Sequence, residues 1–122
     1  MDETCPKCPF CDVDVTKNRI LYKNSSFFVM DNIKPIVSGH LLVIPYRHIR
    51  MEVDILSEEF PFYRMAIRWA DRYIQERFFK DVFSFINAPS GQSVPHLHKH
   101  MMPNSFPMHG VDTALRNYLT KV

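Results

Sequence analysis

With 122 residues, 46% of them hydrophobic and 13% aromatic, the chain is long enough to bury one sizeable core and too apolar for disorder to be its main state. Fifteen basic residues against 13 acidic ones leave a net charge of +2, and no basic run tracks a nucleic-acid backbone, so a polymer ligand is not expected. No apolar stretch approaches membrane-spanning length and residues 1–5 lack the pattern of a secretion signal, so the expectation is one cytoplasmic domain over 1–122 with no membrane partner.

The three cysteines, Cys5, Cys8 and Cys11, all fall in the first eleven residues. An odd number at close spacing argues against a disulfide framework. Cys8-Pro9-Phe10-Cys11 reads as half a zinc site or as a redox pair; no strand pattern precedes it, which favours zinc if two further ligands exist. Residues 20–23 and 27–31 read as short strands joined by an Asn24-Ser25-Ser26 turn. After a loop punctuated by Pro35 and Gly39, the nearly all-apolar run 40–45 reads as a central strand, and His48 follows as the chain leaves the sheet. Ser57-Glu58-Glu59 with Pro61 predicts a helix start capped by the serine hydroxyl. Phe62, Met65, Ala66, Trp69 and Tyr73 then recur at helical spacing to about Phe79 and are expected to pack on the core. Another strand over 82–86, a polar loop over 87–93, a histidine-rich strand and a short last helix over 112–120 complete the chain. The fold class expected is α+β, an antiparallel sheet with one principal helix. An arm (1–17), a core (18–105) and a tail (106–122) are its expected parts.

Half of the six histidines lie in one short stretch, Gly91-Gln92-Ser93-Val94-Pro95-His96-Leu97-His98-Lys99-His100. In an extended strand His96, His98 and His100 would share one face and Leu97, Lys99 and Met101 the other. A row of imidazoles beside a glycine-containing loop can bind a metal, carry a nucleophile, or both.

This stretch resembles the signature of the histidine triad (HIT) family. Gly39-His40-Leu41-Leu42-Val43-Ile44-Pro45 with His48 is similar to the family's central strand and following histidine, and Cys8-Pro-Phe-Cys11 to the zinc half-site of many members. Asn32-Ile-Lys34-Pro35 looks closer to the Fhit branch, whereas the cysteine pair and Gly-Gln-Ser-Val-Pro look like the Hint and bacterial branch. The resemblance implies a homodimer of α+β fold that binds a purine nucleotide and cleaves at the α-phosphate of nucleoside phosphoramidates or dinucleoside polyphosphates. A nucleotide-binding sensor with little turnover is the alternative.

On the same resemblance His98 is the nucleophile, since a neutral imidazole attacks well at physiological pH. His100 and His40 flank it. Gly91, Gln92 and Ser93 would cradle the phosphate, Asn87 would contact it, and Asn32 would accept from the ribose. Cys8, Cys11, His48 and His96 would hold a structural zinc, a closed tetrahedral set. Lys99 departs from the signature, standing at an apolar position where its ammonium must snorkel, pair or lie at an edge.

Overall fold

The computed structural model describes residues 8–11, 19–105 and 110–121, with the side chains of the last stretch described at 115–120. Cys5 therefore lies outside the described residues. Five strands form one antiparallel sheet: β1 (Ile20–Lys23), β2 (Phe27–Asp31), β3 (Leu41–Pro45), β4 (Val82–Phe85) and β5 (Lys99–Pro103), in spatial order β1-β2-β3-β5-β4. The principal helix is α1 (Phe60–Phe78), and α2 (Gly110–Lys121) follows the last strand. The expected α+β arrangement is the one found.

Turn chemistry sets the first hairpin. Asn24 Oδ1 accepts from the amides of Ser26 at 3.0 Å and Phe27 at 2.9 Å, while its amide donates to the Phe62 carbonyl at 2.9 Å. One asparagine thereby closes the turn and ties it to α1. The alternation of β2 and β3 splits their side chains between two faces. Phe27, Val29, Leu41 and Val43, with Met101 of β5, meet Tyr63, Ala66, Ala70 and Ile74 of α1. Phe28, Met30, Leu42 and Ile44 form a second cluster with Phe10 and Ile20. Because Leu42 pairs with His100 across β3 and β5, the triad lies on this second face, away from α1.

The buried line of α1 is rotated from the one the apolar spacing predicts. Tyr63, Ala66, Ala70 and Ile74 are buried, Phe62, Trp69 and Tyr73 flank the core, and Met65 is exposed. Two alanines let the helix approach the sheet, which pushes the larger rings to its margins, where Tyr22, Trp69 and Tyr73 stack at 5.3 and 4.9 Å. The helix also begins at Phe60, and no side chain caps it. Glu59 is occupied instead by Arg47, at 3.0 and 2.9 Å, and by the Leu56 amide, at 2.9 Å. The Arg47 hydrogen bonds hold the Glu59 carboxyl below its usual range.

Gly39 is needed as glycine. Its φ is +90°, and an added Cβ would lie 2.6 Å from the Phe78 ring and 3.0 Å from Pro103.

The triad stretch is not one continuous strand, contrary to the simple alternation. β5 starts at Lys99; His96 and His98 precede it in irregular backbone. The amide of Leu97 donates to the carbonyl of Ile49 at 2.6 Å, so the main chain here bonds to the 46–50 loop and not to β3. Lys99 is half-buried opposite Val43, on the α1 side.

Candidate active site

His96 separates from the other two triad residues by what its nitrogens face. Its Nε2 lies 2.8 Å from the Pro45 carbonyl and must donate there, so Nδ1 carries the lone pair. That Nδ1 is 3.4 Å from Cys8 Sγ, 3.4 Å from Cys11 Sγ and 3.1 Å from His48 Nδ1. Cys11 Sγ is 3.5 Å from His48 Nδ1, and all four donor atoms lie within 4.8 Å of one another. Zinc bonds of about 2.3 Å to sulfur and 2.0–2.1 Å to nitrogen give tetrahedral edges of about 3.5 Å from S to N and about 3.4 Å from N to N. These contacts therefore have the dimensions of a ligand shell. Burial lowers the His96 pKa to about 4, against the opposing effect of the Pro45 hydrogen bond, so the ring is the neutral form a metal requires.

A second chain of bonds fixes His40 and His100. The Ile36 amide donates to His40 Nδ1 at 3.1 Å, which puts the ring proton on Nε2. Nε2 lies 2.9 Å from His100 Nδ1 and donates to it, so His100 carries its own proton on Nε2. That Nε2 is buried and has no hydrogen-bond partner. Burial, reinforced by the neighbouring rings, pushes His40 down to about 4 and His100 down to about 2. Asn32 Nδ2 lies 3.4 Å from His40 Nε2, but a nitrogen already donating cannot accept, so this is a packing contact. Asn32 Oδ1 accepts from the Lys34 amide at 2.9 Å.

His98 has the opposite arrangement from His100. Its Nδ1 donates to the His96 carbonyl at 2.7 Å, leaving Nε2 with a lone pair. Burial lowers its pKa, partly offset by that hydrogen bond, which keeps the ring neutral. The rings of His98 and His100 are 5.0 Å apart between centroids. A free lone pair and an unpartnered N–H thus stand side by side.

Both line a cavity of ≈ 270 Å³. Asn32 and Ser93 also line it; Asn87, Gly91 and Gln92 do not. Gln92 is turned to Arg50, accepting from its Nε at 3.1 Å and donating to its carbonyl at 2.8 Å. Asn87 donates to the hydroxyl of Tyr118 in α2 at 2.9 Å. An added Cβ at Gly91 would meet nothing closer than Asn87 at 4.0 Å, so the fold itself makes no demand for glycine there. His40 stands behind His100, through which it reaches the cavity. Among the lining residues that the motifs did not single out are Phe10, Arg19 and Tyr118. Phe10 packs edge-on against His98 at 5.2 Å and against His96 at 5.9 Å, joining the cysteine pair to the cavity wall. Its position between the two cysteines was the available clue; Tyr118, far along the chain, offered none.

A family model, HIT domain, matches residues 14–106. The chain belongs to the HIT family. It is 32% identical over 89 residues to a bis(5'-adenosyl)-triphosphatase of Saccharomyces cerevisiae (strain YJM789), covering 70% of this chain and 43% of that protein. A protein of the same description from Dictyostelium discoideum is 28% identical over 92 residues, covering 73% and 62%. The chain thus spans about half of the length of the curated relatives it matches. The fold is shared with a HIT-family protein of Bacillus subtilis, at a TM-score of 0.70 and 24% identity, covering 93% of each chain.

Proposed function

We propose that this HIT protein hydrolyses dinucleoside polyphosphates at the α-phosphate, with His98 as nucleophile. One observation carries the reading: in a single cavity, His98 Nε2 holds an unshared pair while the neighbouring His100 Nε2–H is buried without an acceptor. A phosphate answers both, its phosphorus taking the pair and a non-bridging oxygen taking the proton donor's hydrogen bond. The relatives named bis(5'-adenosyl)-triphosphatase support this substrate class. The cavity wall includes Lys34 and Arg19, the latter ion-paired with Asp31 at 2.9 Å, and among the described residues no acid lines it, which suits a polyanion.

In the first step an N–P bond forms at Nε2 and the bridging P–O bond breaks, its electron pair departing on the leaving nucleotide phosphate. Water then attacks the same phosphorus, the N–P bond returns its pair to Nε2, and the water's proton passes to solvent. His98 is positioned by its bond to the His96 carbonyl, and His100 by His40 and the Ile36 amide. Ser93 supplies a hydroxyl and Asn32 an amide to the cavity wall, where a ribose hydroxyl would meet the latter. Asn87, Gly91 and Gln92 shape the loop that carries Ser93.

Zinc is the metal we assign to Cys8, Cys11, His48 and His96. When bound, it supplies a closed structural clamp with no position left for water. Such a clamp would hold Phe10 in its contact with His98. With this reading go a homodimer and a cytoplasmic location. The exposed Phe60 and Met65 on α1 support the first. No helix among the described residues is long and apolar enough to cross a membrane.

The test compares the protein with His98→Ala on diadenosine triphosphate and, separately, on an adenosine phosphoramidate, with products resolved by chromatography. Turnover of the triphosphate falling about a thousandfold or more in the variant is expected. Equal rates with and without His98 would reject the nucleophile, and turnover of the phosphoramidate alone would reject the substrate class.

A further inference from the structure

Tyr118 enters the cavity from α2, beyond the last residue of the family match. Its ring meets His100 edge-on at 5.5 Å and Phe85 at 5.9 Å, while Phe85 stacks on His100 at 4.4 Å with an interplanar angle of 12°. The imidazole whose Nε2–H lacks an acceptor is therefore held between a strand residue and a helix residue. The hydroxyl of Tyr118 is just as constrained. It accepts from Asn87 Nδ2 at 2.9 Å, so one lone pair is occupied on the loop side. A phenol has one proton of its own to give, and accepting a hydrogen bond both strengthens it as a donor and turns its proton away from the group it accepts from. Tyr118 also lines the cavity shared with His98, His100 and Ser93.

We propose that Tyr118 is a substrate-binding residue whose hydroxyl proton, directed by Asn87, bonds an oxygen of the phosphate that His98 attacks. The inference rests on the reading of the cavity as a nucleotide site. It gives Asn87, which does not line the cavity, an indirect role: Asn87 is a positioning residue and Tyr118 makes the contact. It also makes α2 a working part of the site.

Binding of AMP, the expected product, is measured by calorimetry on the full chain for the wild type, Tyr118→Phe, Asn87→Ala and the double variant. Phenylalanine keeps the ring contacts and removes only the hydroxyl. Loss of a hydrogen bond to a charged phosphate should weaken AMP about tenfold or more in Tyr118→Phe. Asn87→Ala should weaken it less, and the double variant should bind no worse than Tyr118→Phe, because both changes act through one proton. Unchanged affinity in Tyr118→Phe, or losses that multiply in the double variant, would overturn the proposal. Limited proteolysis within 110–121 reports whether α2 stays docked. If Tyr118→Phe releases it, Asn87→Ala decides: weaker AMP binding with α2 docked supports the relay, and wild-type affinity rejects it. Failure of the underlying reading looks different. Wild type that binds AMP through Tyr118 but leaves diadenosine triphosphate intact would remove the hydrolase and keep the contact.

Discussion

The histidine relay makes acid the natural perturbation of this fold. His40 and His100 are 2% exposed each, hydrogen-bonded to one another, and held neutral by burial, with folded pKa values of about 4 and about 2 against 6.5 for the free ring. Above 6.5 neither state is protonated and the rings contribute no pH dependence. Below 6.5 the unfolded chain takes up protons that the folded one refuses, so stability is lost as pH falls toward the folded pKa. For His40 at pH 4.5 the loss is about 2.5 kcal/mol, with a similar amount for His100, a large share of the ~5–15 kcal/mol that holds a typical domain together. The assay is guanidinium unfolding at intervals from pH 7.5 to 4.5, in chelator, for the wild type and for His40→Gln. Glutamine preserves an acceptor for Ile36 and a donor for His100 without a titrating group. Comparing the two chains cancels the carboxylates and His96. The slope of stability against pH should be shallower in the variant by about 1.1 kcal/mol per unit between pH 6 and 4.5. Equal slopes would mean that His40 is protonated as readily in the folded protein as in the unfolded one, and the tautomer chain built on the Ile36 amide would fall.

The other predictions are more local. Gly39→Ala should destabilise the fold by about 2 kcal/mol or more, since alanine at positive φ is strained and its methyl meets Phe78, and thermal melting would read this as a clear drop in midpoint. Protein purified without chelator should carry about one zinc per chain by elemental analysis, and Cys11→Ser should lose it; wild type purified in that way without metal would reject the ligand set. Ser93→Ala should lower kcat/KM on diadenosine triphosphate about tenfold while leaving the melting midpoint unchanged, because Ser93 lines the cavity and no hydrogen bond to its side chain was found among the described residues.

The local sequence determined a good deal of this protein. Periodicity and turn residues placed the first four strands within a residue or two, because Asn24 builds its own turn and β3 is apolar throughout, whereas the triad strand starts only at Lys99. The spacing of Cys8 and Cys11 marked a half-site, the family resemblance added His48 and His96, and the fold gathers the four donor atoms within 4.8 Å. What the tertiary structure decided is direction. Nothing in the alternation of His96, His98 and His100 says which ring presents a lone pair and which a proton. The carbonyls of Pro45 and His96 and the amide of Ile36 say so, and all three are main-chain groups whose side chains carry no sign of the role. The buried face of α1 was set in the same way, by how closely alanines let it approach the sheet. Tyr118 entered the site only because α2 folds back over it. Residue types carry the chemistry a site can perform, but a hydrogen bond has a donor and an acceptor end, and which end faces the substrate depends on atoms that only the folded chain brings together.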